Sequence, residues 1–119
     1  MGDNGAIISW SGVRTGRERK AMQVWGDALA FYEKSATDGR IESTETIGFT
    51  GGFRDMIGGF MIRGDQTQIE TFLESDDFLA QYMRAALVAD DLTVTRCTFG
   101  AQMARTVGTY FAQVEDLGL

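Results

Sequence analysis

A chain of 119 residues, 44% hydrophobic and 24% charged, suits one globular domain that can bury a core without disulfides or metal. The net charge of −6 argues against nucleic acid or an anionic membrane as main partner, and no apolar run approaches the roughly 18 residues that would span a bilayer. There is no histidine and one cysteine, Cys97, which removes the commonest general base, Ser-His and Cys-His nucleophile pairs, the usual zinc and haem ligand, and any intrachain disulfide.

The N-terminal Met1-Gly2-Asp3-Asn4 is polar and shows no signal pattern; with the unpaired cysteine, a cytoplasmic location is expected. Residues 6–11 then alternate as a strand, with Ala6, Ile8 and Trp10 on one face and Ile7, Ser9 and Ser11 on the other. Thr15 and Glu18 have capping-box spacing, which predicts a helix from near Gly16. It carries Ala21, Met22, Trp25, Ala28, Leu29 and Tyr32 at helical intervals and ends at Asp38-Gly39.

Residues 47–65 hold six glycines and read as the central hairpin of an antiparallel sheet, with strands at 41–50 and 55–63. Gly51-Gly52 can adopt the positive φ angles of a tight hairpin turn. Alternation sets Met56, Gly58, Phe60 and Ile62 against Ile57, Gly59, Met61 and Arg63. The Gly58-Gly59 pair inside a strand implies either a bulge or the close approach of a ligand or another backbone.

Asp65 and Gln68 offer a second N-cap, and Ser75-Asp76-Asp77 restarts the helix with a kink. Phe78, Leu79, Tyr82, Met83, Ala86 and Leu87 repeat as an apolar face. Asp90-Asp91 breaks the helix, residues 92–99 form a fourth, β-branched strand, and a last helix follows Gly100 with Met103, Val107, Tyr110, Phe111 and Val114 in a stripe. The order β-α-β-β-α-β predicts an α+β, ferredoxin-like domain over residues 1–119: a four-stranded antiparallel sheet with both helical segments on one face, plus a C-terminal helix. The other face would carry Ile7, Ile57, Met61, Cys97 and Phe99, too apolar to stay wet. Either a second subunit, making a homodimer, or the C-terminal helix must cover it.

The fragment F-L-E-S-D-D-F-L-A-Q-Y-M at residues 72–83, closing on a Thr/Val-rich last strand, resembles the dimeric α+β barrel proteins across residues 6–99. That superfamily includes stress-responsive proteins, antibiotic-biosynthesis monooxygenases, muconolactone isomerase-like enzymes and haem-degrading enzymes. No catalytic motif of one branch is present, and branches that need a histidine find none here. The resemblance implies chemistry without a cofactor, and the lack of histidine with a lone Cys97 leaves few good ligands for a metal.

Trp10, Trp25, Tyr32, Phe60, Tyr82 and Arg96 are the candidate ligand-binding residues. Their rings either form core or line a cleft between sheet and helices that takes a small apolar or aromatic molecule. Arg96 among apolar neighbours calls for a carboxylate, Glu42 or Glu45, or captures an acidic group of a ligand. Glu45, if buried, could accept a proton. Cys97 reads as a small buried hydrophobe. The basic run from Arg14 to Lys20 is either a solvated face or an anion contact at a helix start. Two functions stand side by side: a homodimeric binding module without catalysis, and a cofactor-independent monooxygenase or isomerase for an aromatic or polyketide-like substrate. Arg96 and Glu45 discriminate between them, according to whether they face a cavity or pair with each other.

Overall fold

The alternation at residues 6–10 becomes β1 (Asn4–Trp10), one of the two central strands of the sheet. In the computed structural model, which describes residues 2–51 and 55–119, β1 pairs antiparallel with β4 (Gly58–Gly64) and with β6 (Thr93–Thr98). β3 (Ser43–Gly48) pairs with the outer edge of β4, so the order is β3-β4-β1-β6, all antiparallel. Three helices, α1 (Glu18–Thr37), α2 (Gln66–Leu73) and α3 (Asp76–Ala86), supply the other half of the core. Ala6, Ile8, Phe60 and Ile62 from the sheet are packed with Ala28, Tyr32, Ile69, Phe72 and Phe78 from the helices. This is the ferredoxin-like α+β fold.

Local chemistry explains where elements begin and end. Asp65 and Gln68 form the expected capping box: the Gln68 N–H donates to Asp65 Oδ1 at 2.8 Å, and the Asp65 N–H to Gln68 Oε1 at 2.9 Å. The box expected at Thr15 is not made. Gly16 sits at φ +86°, outside the helical region, and α1 starts only at Glu18. There the Glu18 carboxylate receives the Gly16 N–H at 3.1 Å. Backbone N–H groups of Glu18 itself and of Gly16 hold that carboxyl below its ordinary pKa. At the other end Gly39 takes φ +80°, the left-handed conformation expected for the helix stop.

The central hairpin is wider than its sequence implies. Pairing of β3 with β4 stops at Gly48 opposite Gly58, which leaves residues 49–57 as the connection. Gly52, half of the expected tight turn, lies outside the described residues. Gly58 and Gly59 form no bulge, because the register runs one to one through both. A Cβ on Gly59 would stand 2.7 Å from the Ile8 carbonyl oxygen and 3.2 Å from Ile7 Cγ2, so it is the neighbouring strand that requires glycine. Ile41 also departs from expectation: it precedes β3 and is buried in the helix-side core instead of sharing a strand face with Glu45.

A small second sheet has no counterpart in the sequence reading. β2 (Gly12–Val13) pairs antiparallel with β5 (Ala89–Asp90), strapping the end of β1 to the end of α3. Asp91, at φ +53°, makes the turn that follows, and its Oδ2 accepts the Ser11 hydroxyl at 2.7 Å. The basic run finds its role here: Arg14 Nε donates to the Ala89 carbonyl at 3.4 Å and Arg17 donates to the Leu87 carbonyl, the C-cap of α3. Cations that look misplaced at the start of α1 thus serve the negative end of a different helix.

One ion pair outside the sheet ties α3 to the loop after α1. Arg40 meets Asp77 through two contacts, Nη1–Oδ2 at 2.6 Å and Nη2–Oδ1 at 2.9 Å, and its Nη2 also donates to Ser75 Oγ at 3.0 Å. The guanidinium lies 5.0 Å from the Phe72 ring centroid. That side-chain hydrogen bond holds the Asp77 carboxyl well below the usual carboxylate range.

The last helix, α4 (Gly100–Asp116), buries none of its residues. Met103, Tyr110 and Phe111 are all more than half exposed, and the molecule measures 54 × 33 × 24 Å. The helix therefore does not seal the helix-free face of its own sheet.

Candidate functional site

Three elements meet around Phe60. Its register position on β4, opposite Ile8 and Thr46, points it to the helix side of the sheet. Trp10 at the end of β1, and Trp25 and Tyr32 on α1, have ring centroids 5.6, 6.3 and 5.0 Å from it. Such tilted pairs pack without closing every gap, and the alanines opposite leave space: Ala21 and Ala28 on α1, Ala85 on α3. The result is a cavity of about 260 Å³ between α1, α3 and the sheet, with the β2–β5 strap supplying Val13 and Ala89 to its wall. The wall is apolar except for a few groups.

Its mouth and floor follow from exposure. Val13, Glu18, Met22 and Trp25 line the cavity and also reach solvent, whereas Tyr32, Phe60 and Gln81 are buried. Among the described residues, Glu18 is the one charged side chain of the wall. Tyr82 lines the cavity with its ring while its hydroxyl donates to the Leu92 carbonyl at 3.3 Å. Burial pushes the Tyr32 phenol well above its ordinary pKa, so it stays a neutral donor at any physiological pH.

Five of the six sequence-derived candidates, Trp10, Trp25, Tyr32, Phe60 and Tyr82, therefore border one cavity. Arg96 does not. It lies opposite Ala6 on the edge strand β6, is exposed, and has no ion pair with a described residue. Its suggested partners are engaged or distant. Glu42 Oε2 accepts the Gly2 N–H at 2.7 Å. Glu45 sits on β3 at the opposite edge of the sheet, paired with Met61 on the other face, and is exposed, so the buried proton acceptor considered for it is not formed. Arg96 and Glu45 neither pair nor face the cavity.

Gln81 is the wall residue that sequence reasoning missed. The apolar repeat on α3 was assigned to Phe78, Leu79, Tyr82 and Met83, yet Leu79 and Met83 are about half exposed or more while Phe78 and Gln81 are buried. Phe78, Gln81, Tyr82 and Ala85 form the i, i+3, i+4, i+7 stripe that meets the core side, and the polar residue within that stripe is the signal that marks it.

The other side of the sheet has no such enclosure. Ile7, Ile47, Met61, Cys97 and Phe99 are only half-buried and Ile57 is 53% exposed. The Arg63 guanidinium lies 4.3 Å from the Phe99 ring centroid and donates to the Gly2 carbonyl at 2.8 Å. Cys97 is part of this face rather than of the core, and partial burial raises its thiol pKa. Among the described residues no group of three or more Cys, Asp or Glu side chains is placed to hold a metal ion, and no helix is long and apolar enough to cross a membrane.

Comparison with known proteins adds the fold alone. No family model matches the chain, and no curated protein sequence matches it. A solved structure that is similar is a dimeric protein of unknown function with a ferredoxin-like fold from Bacteroides fragilis. The TM-score is 0.61 at 10% sequence identity, over 83% of this chain and 98% of that one.

Proposed function

We propose that this chain is a homodimeric binding protein, a single cytoplasmic domain whose cavity between α1, α3 and the sheet holds a small apolar or aromatic molecule without transforming it. The observation that carries the reading is the cavity itself: about 260 Å³, walled by Trp10, Trp25, Tyr32, Phe60 and Tyr82. A dry cavity of about 150 Å³ accommodates benzene, so a one- or two-ring molecule fits this one. Binding is favoured over catalysis because the charged candidates Arg96 and Glu45 stand outside the cavity and Glu18 at its mouth is the only charged group of the wall among the described residues.

The dimer part of the reading rests on the helix-free face, where Ile7, Ile47, Met61 and Phe99 are left half-exposed by their own chain. A second copy, presenting the same face, covers it by two-fold pairing. The similar protein from Bacteroides fragilis is dimeric, which agrees.

Titration of the protein with indane, followed by tryptophan fluorescence, tests the cavity. Saturable quenching is expected for the wild type and its loss for Ala28→Phe, which fills the space. Quenching that persists unchanged in Ala28→Phe would place indane elsewhere and sink the reading. Light scattering at micromolar concentration tests the dimer, and a monomer would refute it.

A further inference from the structure

We propose that the cavity selects neutral ring compounds bearing a hydrogen-bond acceptor, an aryl ketone, lactone or quinone-type carbonyl, which Gln81 and Tyr32 bind through their N–H and O–H donors. The inference rests on the cavity reading above and names what distinguishes its ligand from any other apolar molecule.

Gln81 carries the argument. It is 9% exposed, lines the cavity, and its Nε2 is buried with no hydrogen-bond partner. An amide kept from water without a partner costs free energy that an apolar residue at the same place would not. Leu, Met or Ala would pack equally well against Phe78 and Tyr82 on the α3 stripe. A bound acceptor removes the cost: the terminal amide torsion is broad and two-fold, so one of its ends can turn to the cavity without an unfavourable rotamer.

Tyr32 narrows the chemistry. It stands on the facing helix, lines the same cavity and is 2% exposed. Its O–H, for which no hydrogen bond to a described residue is found, is the second donor. Two donors on opposite walls suit one acceptor oxygen with two lone pairs. Tyr82 does not compete, since its hydroxyl is committed to the Leu92 carbonyl.

Charge excludes the alternatives. Among the described residues no Lys or Arg belongs to the wall, and the Glu18 carboxylate stands at the mouth. A carboxylate or phosphate ligand would enter past a like charge and find no cation inside, so its desolvation would go uncompensated. A neutral carbonyl keeps the donors satisfied without that cost.

The test compares indane with 1-indanone, which share a ring frame and differ by the carbonyl. Fluorescence titration of the wild type should give a dissociation constant for 1-indanone no weaker than for indane, although water solvates the ketone better. Gln81→Leu should weaken 1-indanone about tenfold, the scale of one buried hydrogen bond, and leave indane within about threefold. Gln81→Met, of similar length and unbranched, guards against a folding defect in the first variant. Infrared spectroscopy of bound 1-indanone provides a readout on the wild type itself: its carbonyl stretch should lie below the value in a hydrocarbon solvent and move back toward it in Tyr32→Phe and in Gln81→Met. Weaker binding of 1-indanone than of indane, or affinities and a carbonyl stretch unaffected by residues 32 and 81, would overturn the donor assignment while leaving the cavity reading intact. Failure of both compounds to bind would overturn the two together.

Discussion

Phe60 and Met61 are neighbours on β4 with opposite environments. Phe60 is 3% exposed and contacts three rings on the helix side. Met61 points to the helix-free face, where it and its apolar neighbours Ile7, Ile47 and Phe99 are only half-buried. Both faces are apolar in sequence, so composition does not separate them. What separates them is the supply of partners: α1, α2 and α3 all pack on one side, and α4, which could have served the other, lies away from it. The satisfied face has surplus space within it, and the unsatisfied face has surplus apolar surface on it. A cavity and an uncovered apolar face are the two consequences.

Truncating the two neighbours gives the sharpest contrast. Phe60→Ala should cost about 3–5 kcal/mol in urea unfolding, the usual penalty for a large aromatic removed from a core, at every protein concentration. Met61→Asp should leave the helical circular dichroism unchanged and weaken dimerisation about 100-fold, roughly 2.7 kcal/mol, seen as a monomer by light scattering. A Met61→Asp chain that unfolds, or that remains a dimer, would break the comparison, because the two faces would then not be separable.

A smaller effect is expected from the ion pair that fastens α3. Arg40→Ala should destabilise by about 1 kcal/mol, since the Asp77 side chain is 55% exposed and the pair is screened by solvent. The sign with pH follows from the direction of the shift. Asp77 titrates lower in the folded chain than in the unfolded chain, so its contribution is present above the unfolded value of about 3.9 and is lost as pH falls below it. The acid limb of stability should flatten below about pH 4 in Arg40→Ala relative to the wild type; chemical denaturation at pH 3 and pH 6 measures the difference. Identical pH profiles would mean the pair contributes nothing.

The smallest effect concerns α4. Removing residues 100–119 should change the stability of the isolated monomer, obtained with Met61→Asp, by no more than about 0.5 kcal/mol, the range for surface changes. A larger loss would show that α4 belongs to the core side of the comparison.

How much of this was legible beforehand depends on the range of the interaction. The capping box at Asp65 and Gln68 and the helix stop at Gly39 involve residues three or fewer apart or a single backbone angle, and both stand as read. The faces of β1 and β4 were also legible, because the pleat alternates with period two whatever the strand meets. The start of α1 was not, because Gly16 took a left-handed conformation that competes with the Thr15 cap. Arg96 and Gln81 failed in opposite ways. Arg96 looked enclosed by its strand neighbours, yet β6 is an edge strand and nothing lies over that residue. Gln81 stands outside the apolar repeat read for α3, yet α3 turns that side inward.

The sequence by itself determined the order of elements, their amphipathic faces and the chemistries closed to a chain without histidine. Those properties follow from covalent geometry, short-range capping and composition. Tertiary structure alone decided that alanines on α1 and α3 line one gap, that the strap of β2 and β5 contributes to its wall, and that Gln81 is buried beside it. A void is a difference between volumes contributed by elements distant in the chain, and no local pattern encodes that difference.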